Sequence, residues 1–232
     1  MGYLIHKMPM KNILLTILFC MIPLSVTAGT PYFPDKAGSI LRYQRSDSGN
    51  GKTVWVHEMQ VLEDKTTKDG REMICRSHFS KPGGKQAMDV DYKTIIDKEG
   101  NVTSDLAASL VSAIRNFLPK MEIKAEFSPT TLPSVLIPGG KLPDASSEIA
   151  IKGKIFSVDV TERKVLREEA LTTPAGTFDC VVVTEHKTEK FTLYNRDTIS
   201  YTWYAKGVGM VRHDTWKNGR CETSEVLVSL DN

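Results

Sequence analysis

The sequence predicts a mainly β protein of antiparallel strands with one amphipathic helix. Three observations carry that expectation. Apolar and polar side chains alternate with period two along most of the chain beyond Thr53, turn signals built from Gly, Pro, Asn and Asp divide the alternating stretches, and helical spacing appears once, between Leu106 and Phe117.

Residues 1–28 stand outside this pattern. Lys7 and Lys11 precede a ten-residue apolar run, Ile13 to Ile22, and Val26-Thr27-Ala28 supplies a small-residue exit. That is the layout of a secretory signal peptide cleaved after Ala28. A membrane-crossing helix needs about 20 apolar residues, so no transmembrane segment is expected after cleavage. Met10 is an alternative start. Cys20 follows Ile17-Leu18-Phe19, and the bulky Phe19 argues against a lipid-acceptor cysteine. The expectation is an exported chain, periplasmic, associated with the outer membrane or extracellular, whose residues 29–232 form one β-rich domain.

The chain carries 30 Lys and Arg against 28 Asp and Glu, and losing Lys7 and Lys11 with the leader leaves 28 of each sign. A nucleic-acid or anionic-lipid surface needs concentrated basic charge, and no run of Lys and Arg supplies it. Nucleic acid is therefore excluded as a partner. With 41% hydrophobic residues the domain can bury its own core without staples. Cys75, Cys180 and Cys221 are an odd set, which allows one disulfide at most and leaves a thiol over; packing roles are expected for all three.

The elements follow in order. A short strand is expected at Ile40 to Arg45. Trp55, Met59 and Val61 share one side of the next, and the turn Lys68-Asp69-Gly70-Arg71 leads back into Met73, Cys75 and Phe79. Met88, Val90, Tyr92 and Ile96 alternate with Asp89, Asp91 and Lys93, a strand with one dry and one wet face. Leu106, Leu110, Ile114 and Phe117 then mark the helix, with Ser104 as its cap and Pro119 as its stop. The stretch 128–144 holds four prolines and is either an ordered crossing segment or a linker that subdivides the domain.

From Glu148 alternation returns. Phe156, Val158 and Val160 form one face of a strand; Phe178, Cys180 and Val182 of another; Ile199, Tyr201 and Trp203 of a third; Val226, Val228 and Leu230 of the last. Between two of these, Thr173-Pro174-Ala175-Gly176 has Pro at the first corner and Gly at the exit, a hairpin turn and not a reactive loop.

Candidate chemistry is sparse. Cys180 has no base nearby, because His186 lies six residues on, roughly 20 Å along a strand. Cys75 and His78 face opposite ways in a regular strand and cannot converge with His57 on a metal, and the adjacent Glu168 and Glu169 diverge in the same manner. Gly83-Gly84 and Gly139-Gly140 lack a phosphate-binding continuation. No metal and no cofactor are expected. A hydrolase would have to assemble its site from distant residues such as His213, Asp214 and Glu185. What remains is aromatic: Trp203, Tyr201 and Phe156 on predicted apolar faces could line a groove for an apolar ligand or lipid, or could pack a closed core.

The stretches L-I-P-G-G-K-L-P-D, T-E-R-K-V-L-R-E-E, L-T-T-P-A-G-T-F-D-C and W-Y-A-K-G-V-G-M-V-R, from about Pro133 to Leu230, resemble the TapB-like family of secreted proteins from Gram-negative bacteria, a group of unknown function. The resemblance implies a strongly curved antiparallel meander forming an open barrel, the YmcC-like fold. It implies no reaction, and it carries Pro174, Gly176, Gly207 and Gly209 over only as turn formers. The functional expectation is an exported, non-enzymatic protein that binds an apolar ligand, lipid or envelope partner in the concavity of its sheet. The alternative is a structural or assembly factor of the cell envelope.

Overall fold

The computed structural model of the protein describes residues 29–34, 36–104, 123–127, 129–151, 153–192 and 194–231. Alternation becomes one antiparallel sheet, with 13 strands among the described residues. β1 (Ile40–Asp47), β2 (Thr53–Thr67), β3 (Gly70–Lys81), β4 (Lys85–Asp97) and β5 (Val102–Ser104) form a meander that ends on the short edge strand β7 (Thr130–Leu132). β6 (Ile123–Phe127) occupies the other edge. From it the sheet runs through β8 (Ala145–Ile151), β9 (Lys154–Thr173), β10 (Gly176–Phe191), β11 (Tyr194–Ala205), β12 (Gly209–Lys217) and β13 (Arg220–Asp231). β13 pairs with β1, Tyr43 opposite Leu227, and this pairing joins the two meanders.

The sheet curls into a barrel that is nearly closed, with one seam not sealed by a full ladder. At the seam the proline-rich stretch runs beside β9. The Gly139 N–H donates to the Val165 carbonyl at 2.8 Å, the Val165 N–H to Gly140 at 2.9 Å, and the Leu142 N–H to Arg163 at 2.9 Å. Lys141 faces Lys164 in an isolated bridge. Pro138 and Pro143 on either side lack the N–H groups that would extend the ladder. Leu132, Leu136 and Leu142 turn inward and are buried, while Val135 and Ile137 stay exposed.

The hairpin of β9 and β10 turns where its residues dictate. Gly176 stands opposite Thr173 with a φ of 138°, and the Thr173 hydroxyl accepts a bond from the Ala175 N–H at 3.2 Å. Cys180, Val181, Val182 and Val183 beyond it are all buried. A strand covered on both faces has no need to alternate, which accounts for the run of valines. The interior core gathers Leu41, Val61, Met73, Cys75, Val165 and Leu227.

Several expectations shift. The helix expected from Leu106 to Phe117, its stop at Pro119 and the signal peptide lie outside the described residues. Ser104 ends β5, and its hydroxyl meets that of Thr94 at 3.1 Å. β12 was not singled out by alternation. Its Val211 is an extra residue at a bulge, where Trp203 opposes Arg212 and Tyr204 opposes Met210, so the period-two pattern breaks inside the strand. Cys75, Cys180 and Cys221 are free thiols. Burial pushes the Cys75 thiol up to about 12 and the Cys180 thiol up to about 11, the latter helped by Asp179 and Glu169.

Candidate functional site: an apolar cavity with a polar floor

Inside the barrel, next to the seam, lies a cavity of about 240 Å³. Its walls are Tyr43 from β1, His57 and Met59 from β2, Tyr92 from β4, Leu132 from β7, Arg163 from β9 and Tyr204 from β11. One end is stoppered by Tyr32, Phe33 and Pro34, on which the turn into β12 docks. The Gly207 N–H donates to Pro31 at 2.7 Å, and a Cβ on Gly209 would stand 3.4 Å from Pro34 and 3.5 Å from the Phe33 Cα. Gly209 also has a φ of 92°, so close approach and backbone conformation both call for glycine there.

The floor is polar. The His57 ring lies between Tyr43 and Phe79, with centroids at 5.0 and 4.2 Å. Its Nδ1 is 2.8 Å from a Glu225 carboxylate oxygen and its Nε2 is 3.0 Å from the Ser77 hydroxyl. Glu225 is buried and also accepts from Arg45 at 2.7 Å. Burial alone would raise its pKa, but the bonds from His57 and Arg45 and their charges outweigh that and hold it at about 2. An ionised carboxylate only accepts, so the Nδ1–H of His57 donates to Glu225, while Nε2 and the Ser77 hydroxyl share the second contact. Burial also keeps the phenols of Tyr43, Tyr92 and Tyr204 protonated, Tyr204 up to about 12.

Ser77, His57 and Glu225 thus have the spacing of a nucleophile, a base and its orienting acid. The surroundings do not match. Ser77 sits mid-strand in β3 with β2 and β4 paired on either side, so nearby backbone N–H groups serve the ladders and cannot receive an oxyanion. The chain of bonds locks the His57 ring against the cavity wall.

Arg163 is the charge on the cavity wall, and its position comes from a bulge. Glu162 takes a φ of 54° where the β9 and β10 register slips between Thr184 and His186. The slip turns the Arg163 side chain into the barrel, 2% exposed, where it faces Glu185 at 3.4 Å. Its Nη1 donates to the Pro143 carbonyl at 2.9 Å and to Thr131 at 3.3 Å, so the guanidinium also ties β9 to both sides of the seam. Sequence reasoning missed Arg163. The available signal was parity: Val160 and Val165 are five residues apart yet both face inward, opposite Lys187 and Val183, which a regular strand cannot do.

The expected groove residues are not brought together. Trp203 and Tyr201 share a face, but Tyr204 between them and the next turn points to the cavity, so that face is the opposite one. The Trp203 ring is covered by the Arg212 guanidinium at 5.0 Å, and its indole N–H donates to Glu169. Phe156 pairs with Phe191, nine residues along β10 from the Val182 partner of Trp203, roughly 30 Å at strand spacing. The hydrolase candidates also part. His213 bonds the Thr202 hydroxyl at 2.8 Å on the inner face, beside Glu225 and on the side of Glu185, while Asp214 faces outward to Arg212 and Ser224. Cys75 is buried inside and His78 is outside on Asp89 at 2.6 Å. No group of three potential metal ligands is found among the described residues.

A family model described as DUF3108-like matches residues 36–227. The chain belongs to the DUF3108-like family. Two solved structures resemble this DUF3108-like chain across 88% of its length. One, from Parabacteroides distasonis, is described as a lipoprotein; it has a TM-score of 0.69, is 22% identical and is covered over 99% of its own length. The other, from Bacteroides fragilis, is described as an exported protein with YmcC-like fold; it has a TM-score of 0.68, is 20% identical and is covered over its full length, 100%. These likenesses establish the fold. No curated protein matches the chain.

Proposed function

We propose that this protein is an exported, non-enzymatic β-barrel that holds a small apolar or amphiphilic ligand, such as the acyl end of a lipid, in its interior. The observation that carries the reading is the 240 Å³ cavity beside an incompletely laddered seam. Dedicated ligand pockets run from about 300 Å³ upward, so the cavity suits a short chain and not a whole lipid. Export, and a place in the periplasm or at the outer membrane, are supported by the secretory layout of residues 1–28 and by the descriptions of the two structural relatives. The narrower TapB-like membership belongs to the same proposal.

The test is titration of the purified protein with the neutral fluorescent probe 1-naphthylamine, which is small enough for the cavity. Saturable enhancement is expected, and it should be lost in Val208→Trp, which fills the cavity from a turn without touching a strand ladder. Probe fluorescence unchanged by the wild-type protein would sink the reading. A second reading, an envelope assembly factor that engages a protein partner, is favoured by Val135 and Ile137, which stand 65% and 66% exposed side by side on the seam segment.

A further inference from the structure

We propose that the ligand is an amphiphile with an anionic head, seated with its carboxylate or phosphate on Arg163 and its chain among the tyrosines and Met59. The inference rests on the cavity being a ligand site and names the chemistry that the site selects. Among the described residues, Arg163 is the one side chain on the cavity wall that is charged at every physiological pH, and no Asp or Glu is on that wall. An apolar cavity holding a cation and no acid is complementary to a single anion attached to an apolar chain.

The charges behind the wall leave Arg163 available. Glu225 is taken up by Arg45 and His57. Glu185 reaches only the Arg163 Nε, at 3.4 Å, longer than the 2.7–2.9 Å of a well-formed charge-assisted bond. The remaining contacts of Arg163 that fix its position are to the Thr131 and Pro143 carbonyls, which are neutral. His213 and Lys187 lie further along the same inner face, and neither is on the cavity wall. A carboxylate arriving from the cavity therefore meets a preorganised guanidinium in a largely water-excluded place, where a charge-assisted pair is strongest. The phenol groups of Tyr43, Tyr92 and Tyr204 do not compete for the cation, because burial keeps them neutral. The cavity holds about eight water-sized units at ~30 Å³ each, which sets the chain at about eight carbons.

The experiment is displacement of 1-naphthylamine from the wild-type protein by octanoate, octyl phosphate, octan-1-ol and octylamine at one ionic strength. Octanoate or octyl phosphate should bind roughly 10–100-fold more tightly than octanol, as expected for one charge-assisted contact. Octylamine should be weakest. The better of the two anions tells a free carboxylate from a phosphate head. In Arg163→Gln the anion should fall to the affinity of octanol, with octanol unchanged. Because Arg163 also ties the seam, that variant can fail to fold, and the wild-type series then decides alone. Octanol matching the anions would overturn the head-group inference while leaving the cavity a ligand site. Failure of the probe itself to bind would overturn both.

Discussion

At the scale of single residues, the polar interior is a feature of the molecule that pH can reach. Glu225 has a folded-state pKa of about 2 against an ordinary value of 4.5. A depressed carboxylate pKa stabilises the fold above the unfolded value, and that contribution is lost as pH falls from about 4.5 toward 2. The difference corresponds to about 3 kcal/mol. The expected outcome is an acid limb of stability over that window, measured by urea unfolding, which flattens in Glu225→Gln while stability at neutral pH drops by about 2–3 kcal/mol. An unchanged acid limb in the variant would assign the acid sensitivity elsewhere. His57 and Glu225 were both visible in the sequence as residues, but their meeting was not. They are 168 positions apart, and only the β1 and β13 pairing places them on one face.

At the scale of elements, most strands were legible because one face is dry and the other wet, as in β4, where Val90 and Ile96 are buried and Asp89, Asp91 and Lys93 are exposed. The hairpin at Pro174-Ala175-Gly176 was legible for the same local reasons. Legibility failed at two bulges in particular. Val211 hid β12, and Glu162 hid the inward turn of Arg163 and with it the charged end of the cavity. The expected groove fails for a related reason: Trp203 has apolar neighbours in sequence, yet it is buried on the outer face by Arg212 and Glu169, a use of aromatic surface that alternation does not distinguish from core. The bulge itself can be tested. A non-glycine residue with left-handed φ costs about 1–2 kcal/mol, and a β-branched one more. Glu162→Gly should therefore stay within about 0.5 kcal/mol of wild type, whereas Glu162→Val should lose about 2 kcal/mol and weaken anion binding by turning Arg163 out of line. Equal effects of the two substitutions in urea titrations would remove the bulge from the account.

At the scale of the whole molecule, the neighbouring strands among the described residues are joined by ladders, and the barrel closes more sparsely where the segment from Pro133 to Asp144 meets β9. There, three backbone bonds, the Lys141 and Lys164 bridge and the Arg163 contacts close it. Short ladders open locally at lower free energy than long ones, so the seam is the expected route for a ligand into the cavity. The bonds flanking Lys141 and Lys164, Val165 to Gly140 and Leu142 to Arg163, are the pattern of a non-hydrogen-bonded antiparallel pair. Cα atoms in such a pair stand about 4.5 Å apart, within disulfide reach. Lys141→Cys with Lys164→Cys should therefore oxidise to a cross-link, adding about 3 kcal/mol of stability by closing a short loop. Stopped-flow mixing with 1-naphthylamine then separates gate from wall. With the seam as the route, the oxidised protein should bind the probe at least tenfold more slowly, at an equilibrium affinity within twofold of wild type, and reduction should restore the rate. An association rate that is the same in both redox states would place the route at the other end of the barrel, past Tyr32 and the Gly207 turn, where the stopper rests on one backbone bond and close packing.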